Sequence, residues 1–474
     1  MDTIINQEWS RISTELVQNP DDLNLWQSLI KAAESNTKRG ITKSSGFEEI
    51  DVLRVSYQKL LQKYPLLYNY WIKFAEWEFH LGDTDRANQV YQSSLKHLSY
   101  SCEIWTSYLN FKINTSNGNL DEVLGLFESA RRKIGYHFHA YEFYKLYLSF
   151  LENYQTETEN FKLKYYVLLR IIVEIPLYHY EYFYKKLFDT FAEIGNDEKR
   201  ANELVPLVVP EKELKNYKTS ENKQLALHLK KTFVDAYLTT QFKVYELFNF
   251  EKHITRQYYD TSSISSQQLE NWDMYLDFLE LREYPNDYII FTYERCLIPT
   301  ASYARFWTKY SDYYINQGNH LKAAEVLVRG YNYSGQHSLL LKLVDLQIYL
   351  HNFTKARDMI LAFIKTNASV PLPIYEKLIN IERFLHPGDN DYIIGLFREI
   401  IRETQNEWLF QHLLYYSIPN ESKKELLDEF ETFKESPIYI DALEKLKSEI
   451  NSTNKKESPV DFVDVYDENI NSYL

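Results

Sequence analysis

The chain has 474 residues, 45% of them hydrophobic and 16% aromatic, a formal net charge of −14 and 2 Cys. A protein that neutralises phosphates along its length needs clustered Lys and Arg, so this balance excludes an extended nucleic-acid binder and favours protein partners, with RNA touched only locally. Cys102 and Cys296 form no Cys-x-x-Cys pair, residues 1–8 lack a basic-then-apolar leader, and the most apolar run, 165–180, is broken by Arg170, Glu174 and Pro176, so the chain reads as intracellular and reduced, with no membrane span.

Few Gly (12) and Pro (13), and little strand-like alternation, predict an all-α chain. The first unit carries Trp26, Leu29 and Ala32, then Glu34; a polar loop follows over 35–45, and a second helix runs through Val52, Val55, Leu60 and Leu61 to Tyr64-Pro65. In the second, Trp71, Phe74 and Trp77 precede Glu78, Gly82-Asp83 makes the turn, and Ala87, Val90, Tyr91 and Leu95 form a packing face. Rings three apart sit on one side of a helix, so each unit predicts two antiparallel helices. Trp105, 34 residues after Trp71, opens the third with Tyr108 and Phe111, but Lys112 stands where Glu is expected. Its second helix holds Val123, Leu124, Phe127, Glu128 and Ala130 and ends in the basic cluster Arg131-Arg132-Lys133. A fourth unit shows Tyr144, Tyr147, Phe150 and Glu152, then Tyr165, Tyr166, Leu169 and Arg170; a weaker fifth shows Tyr184, Leu187 and Phe191.

Polar residues, Pro206, Pro210 and a charged run over 212–222 predict a boundary, followed from Gln224 to about Thr255 by a long helix or helix pair. A second lysine run, Lys212, Lys215, Lys218, Lys223, Lys230 and Lys231, crosses this segment, diluted by Glu211, Glu213 and Glu221. The clearest stretch follows: Trp272, Tyr275 and Phe278 with Glu280, then Tyr293-Glu294-Arg295-Cys296-Leu297, then Trp307, Tyr310 and Tyr313, 35 residues on from Trp272. Later units use Leu343, Leu346 and Tyr349, then Tyr375, Leu378, Ile381 and Glu382, and a worn one with Trp408, Leu409 and Leu413. The predicted division is 1–195 (amino-terminal repeats), 196–255 (linker and connecting helix), 256–450 (carboxy-terminal repeats) and 451–474 (a polar, acidic, disordered tail).

Aromatic-x-x-aromatic-x-x-aromatic helices with a nearby Glu, each followed by a helix such as Tyr-Glu-Arg-Cys-Leu, resemble the half-a-TPR (HAT) repeat, and imply an α-solenoid of such repeats in two halves. Phe250-Glu251, Ile254, Arg256, Tyr258-Tyr259, Asn271-Trp272, Tyr275-Leu276-Asp277-Phe278, Tyr293 to Ile298 and Tyr303-x-x-Phe306-Trp307, in that order, are similar to the pre-mRNA-processing HAT proteins of the U1 snRNP. Of that family's two yeast branches, numbered thirty-nine and forty-two, the chain leans to the second. The resemblance implies a nuclear, non-catalytic scaffold acting at 5′ splice site recognition. Its partners would be U1 snRNP proteins and a second HAT protein, the same or a paralogue, paired through roughly 340–445.

The residues name no chemistry of their own. Phosphate-binding glycine motifs and His-Glu-x-x-His are missing, so no catalytic, cofactor or metal site is expected. His137-x-His139 has no acidic or Cys partner nearby and reads as polar residues at a turn, and Asp21-Asp22 as helix-start residues. Trp71, Phe74, Trp77, Trp105, Tyr108, Trp272, Tyr275, Phe278, Trp307 and Tyr310 are expected to pack repeats rather than stack bases. Arg131, Arg132 and Lys133, with Lys162 and Lys164, form a local basic cluster for an acidic partner, U1 snRNA or pre-mRNA, weighed against an ordinary solvated helix end. The rival functions are a HAT scaffold of mRNA 3′-end cleavage or ribosomal RNA processing, or a TPR-like adaptor, although no unit has the TPR Leu-Gly.

Overall fold

A computed structural model describes residues 7–35, 41–116, 118–154, 161–196, 205, 222–367, 369–416 and 420–452. Among these residues the structure is helical without strands, and no helix is long and apolar enough to cross a membrane. Most of the 196–221 boundary, the lysines at 212, 215 and 218 and the tail beyond 452 lie outside them.

The helices follow in pairs. An unpredicted helix, α1 (Gln7–Gln18), precedes the first Trp unit and packs Ile12 and Leu16 against Leu29 and Ala32. Then come α2 (Leu23–Glu34) with α3 (Phe47–Lys63), α4 (Tyr68–Leu81) with α5 (Thr84–His97), α6 (Cys102–Thr115) with α7 (Leu120–Ile134), and α8 (Tyr141–Asn153) with α9 (Phe161–Val173). After α10 (Tyr180–Asn196), the connecting segment is one helix, α11 (Asn222–Glu251). The pattern resumes with α12 (Ser266–Leu281), α13 (Asn286–Leu297), α14 (Ala304–Asn316), α15 (His320–Ser334), α16 (His337–Tyr349), α17 (Phe353–Thr366), α18 (Leu372–Leu385), α19 (Asn390–Thr404), α20 (Glu407–Tyr416), α21 (Asn420–Glu429) and α22 (Pro437–Ser452).

Short polar side chains start these helices. Asp22, Asp83, Ser101, Asn119, Ser265 and Asp389 each accept a backbone N–H of the first turn, satisfying a donor the helix leaves free. Gly82 ends α4 in the left-handed conformation (φ 91°) that a side chain would resist, which lets Asp83 cap α5 directly.

Two compact units result: residues 1–313 with 332–335, and residues 314–331 with 336–474. The first is built from rings. In five places a ring from the end of one pair lies flat on the middle ring of the next stripe: Tyr57 on Phe74 (5.2 Å between centroids), Tyr91 on Tyr108 (5.0 Å), Phe127 on Tyr147 (4.4 Å), Phe250 on Tyr275 (5.0 Å) and Tyr293 on Tyr310 (4.7 Å). The second unit is mostly aliphatic, centred on Ile360, Ile374, Ile381, Ile393 and Ile401. There Trp408 is 42% exposed while its neighbours Leu409 and Phe410 are buried, so the worn last stripe is turned by one position.

Where a Glu follows a stripe, it is a clasp between helices. Glu34 accepts from the Tyr57 hydroxyl (2.5 Å) and the Trp77 indole (3.1 Å); Glu78, fully buried, holds Arg54 through two bonds of 2.8 and 2.6 Å; Glu280 accepts from Tyr293; and Glu382 holds Arg357 at 2.7 Å. At the third pair the polarity is inverted: Lys112 donates to Glu122 of the following helix at 2.5 Å. The departure noticed in the sequence is thus the same clasp with its charges exchanged.

Candidate functional site

The end of α7 supplies the first wall of a cleft. Arg131, Arg132 and Lys133 fill its last turn, where cations complement the helix dipole. Gly135 follows with an ordinary backbone, but an added Cβ would lie 2.4 Å from the Arg131 carbonyl oxygen and 2.7 Å from the Tyr144 hydroxyl. The chain is therefore held tightly there, with Tyr144 donating to the Gly135 carbonyl at 3.0 Å. The opposite wall is α13, distant in sequence but in the same compact unit: Phe291 approaches Tyr100 (6.2 Å) and His137 (6.0 Å), and Tyr136 meets Tyr288 edge-on (5.6 Å). The cleft between them measures about 570 Å³, a size typical of ligand and peptide pockets. Its lining combines Arg131, Arg132, Tyr100, Tyr136 and Phe291 with the carboxylates Glu174 and Asp287.

The three cations differ in availability. Arg131 is tied to Glu128 by bonds of 3.1 and 2.9 Å, and Glu128 also accepts from Tyr147 at 2.6 Å. Burial pushes the Glu128 carboxyl up, but these bonds outweigh it and leave it below its usual range. Lys133 lies over the Tyr100 ring at 4.7 Å. Arg132 is exposed and has no side-chain partner among the described residues, so it is the cation the cleft leaves open. Lys164 is exposed on α9; the side chain of Lys162 lies outside the description. A cleft that sets one open arginine among rings and two carboxylates suits a protein segment better than a polyanion, which the acids would repel.

Behind α13 lies a buried ion pair. Glu251, the last residue of α11, accepts two bonds from Arg295, of 2.6 and 2.8 Å, and one from Tyr275 at 3.0 Å, with Gln257 a further acceptor for Arg295 at 3.2 Å. Both side chains are almost wholly buried, and the guanidinium stands over the Trp272 ring at 5.5 Å. Burial works against the charge on Arg295, but Glu251 and its hydrogen bonds overcome it and hold the guanidinium protonated. The sequence motifs around 251, 272–278 and 293–298 thus converge on one cluster, although nothing in their spacing assigned Glu251 to Arg295.

Trp71, Phe74, Trp105, Tyr108, Trp272, Tyr275, Trp307 and Tyr310 are buried; Trp77 and Phe278 are partly so. His137 is buried, its Nδ1 accepting the backbone N–H of His139 at 3.1 Å, and burial followed by the charge of Arg295 pushes its pKa well below the usual value. Among the described residues no group of three or more His, Cys, Asp or Glu is placed to hold a metal. Cys296 is buried among apolar groups, which raise its thiol to about 12, far from reactive.

Paired helices whose rings interlock from one pair to the next, with acidic clasps after several of the stripes, define a helical-repeat protein of the HAT type. Residues 10–189 match the PRP39 N-terminal HAT repeat and residues 245–384 the PRP39 C-terminal HAT repeat. The chain belongs to the PRP39 HAT repeat family. Among similar proteins, Schizosaccharomyces pombe pre-mRNA-processing factor 39 is 29% identical over 68% of this chain and 53% of its own length. The U1 small nuclear ribonucleoprotein component PRP42 of Saccharomyces cerevisiae is 29% identical over 72% of this chain and 63% of its own length. The chain therefore spans less than two thirds of these relatives. Among solved structures there is a loose likeness to CSTF-77, with a TM-score of 0.41 at 13% identity, covering 83% of this chain and 91% of that one.

Proposed function

We propose that this chain is a nuclear, non-catalytic scaffold subunit of the U1 snRNP that acts in pre-mRNA splicing when the 5′ splice site is recognised. The observation that carries the reading is the match, in order, to both the amino- and carboxy-terminal PRP39 HAT repeats; the names of the relatives supply the particle. Its work is protein–protein contact, in keeping with the net charge of −14. The repeats over 1–195 engage particle proteins, with the cleft at Arg132 as one docking point, any contact to U1 snRNA or pre-mRNA is local, and residues 196–255 connect these repeats to those of 256–450. Within that carboxy-terminal set, residues 340–445 pair with a second HAT protein. Exposed rings in this stretch, Phe384 (57%) and Trp408 (42%), suit such an interface.

A tagged chain expressed in its own cells should recover U1 snRNA together with U1 proteins; recovery of a 3′-end-cleavage or ribosomal-RNA-processing complex instead would refute the assignment. Reversing charge at Arg132 should loosen particle association while the fold persists by circular dichroism, and unchanged recovery would show the cleft to be ordinary surface. Phe384→Glu with Trp408→Glu should shift the purified chain towards monomer in sedimentation velocity; an unchanged profile, or a wild-type chain that is already a monomer and binds no paralogue, removes the pairing.

A further inference from the structure

The helix α11 is apolar on two faces, and among the described residues only one is covered. Ala226, Leu229, Phe233, Val244 and Leu247 are buried on the inner face, where Phe233 meets Phe191 (5.3 Å between centroids). On the outer side Leu227, Val234, Leu238, Phe242 and Tyr245 are 68%, 46%, 54%, 62% and 68% exposed. At about 100° per residue these five fall within an arc of about 80°, centred some 140° from the buried face. Phe248, 38% exposed, extends the stripe to about 32 Å at 1.5 Å per residue. A continuous row of this length is unlike the scattered apolar residues of an ordinary surface.

The row has a shape and a charge. Its intervals of seven, four, four and three residues are those with which one helix meets the stripe of another. Lys231 lies within the arc of the stripe and Lys230 at its other edge beside Phe248, and both are exposed. Asp235, also exposed, lies about 20° beyond Phe242 at one edge of the stripe, and Glu246 lies about 40° beyond it and is engaged by Arg282 at 2.6 Å. Two lysines against Asp235 leave the face net positive, a charge that a second copy would repeat rather than answer. We infer that the outer face of α11 is a docking site for an amphipathic helix of a different protein, with an apolar stripe along Leu227 to Phe248 and acidic residues flanking it near Lys230 and Lys231. This does not depend on which particle the chain belongs to.

The test uses the full chain and two synthetic helical peptides of about six turns, with leucines at the a and d positions of a heptad and either Glu or Lys at e and g. Fluorescence anisotropy should show the Glu peptide binding at least about tenfold more tightly than its Lys twin. Leu238→Glu with Phe242→Glu should remove that binding by a similar factor, with the circular dichroism melt unchanged because both side chains are exposed. Lys230→Glu with Lys231→Glu should reverse the preference. Equal binding of the two peptides, or Glu-peptide binding that survives the first pair of changes, overturns the proposal. In intact particles, benzoylphenylalanine at position 238 should photo-cross-link to a segment of another protein with apolar residues at helical spacing and flanking carboxylates. Cross-links only within this chain, only to a second copy or only to RNA would refute it. So would binding to phosphatidylserine vesicles that is lost in the first variant, which would mark the face as a membrane surface.

Discussion

At the residue scale, one hydrogen bond recurs. The indole N–H of Trp26, Trp71, Trp105 and Trp307 donates to the carbonyl six residues earlier, on Pro20, Pro65, Ser99 and Ala301, at 2.8–2.9 Å. Each of these helices begins three residues before its Trp, so the sixth residue back is still in the preceding turn. In α12 the helix begins six residues before Trp272; that carbonyl belongs to the helix, and the Trp272 indole N–H is buried without a hydrogen-bond acceptor. Trp307→Phe strands a carbonyl, worth about 1–3 kcal/mol beyond the loss of ring volume, whereas Trp272→Phe removes a group that was already unsatisfied. Chemical denaturation should rank Trp307→Phe as the more damaging, and equal losses would sink the account. His137 gives a pH signature. Its folded pKa lies well below the usual value of about 6.5, so its contribution is whole above that pH and is lost as pH falls towards the folded value. The melting temperature should drop between about pH 7.5 and about 5.5, and drop less in His137→Gln, which has nothing to protonate there.

At the scale of elements, the pairing of Glu251 with Arg295 joins the end of α11 to α13. Glu251→Gln leaves a buried guanidinium without its counter-charge and should cost about 3–5 kcal/mol, measurable by urea unfolding. Replacing both, Glu251→Leu with Arg295→Met, should recover much of that loss; if the double variant is as unstable as the single, the pair is not the cause. Helix spacing made the rings of α4, α6, α12 and α14 legible, because a stripe with period near 3.6 needs a partner wherever it falls. The pairing of α13 with the end of α7 was not legible. It joins residues some 150 positions apart, and no local pattern carries such a contact. Arg131 and Arg132 look alike in sequence; Glu128, one helical turn before Arg131, engages that residue and leaves Arg132 open.

At the scale of the whole chain, repeats touch mainly their neighbours, so damage should stay local. Ile381→Ala, in the core of the second compact unit, should cost about 2–5 kcal/mol there. Hydrogen exchange should show faster exchange over α18 and α19 with unchanged protection over α12 and α13; uniform loss along the chain would mean one cooperative core instead.

Composition and ring periodicity alone determined an all-helical repeat chain, because few Gly and Pro and a recurring one-sided stripe permit little else. They could not say which arginine is spoken for, that α1 precedes the first ringed pair, or that α11 keeps a second apolar face in water. Those depend on which surfaces meet, and an apolar stripe reads the same in sequence whether a neighbour covers it or not; only the packing of α10, α11 and α13 decided it.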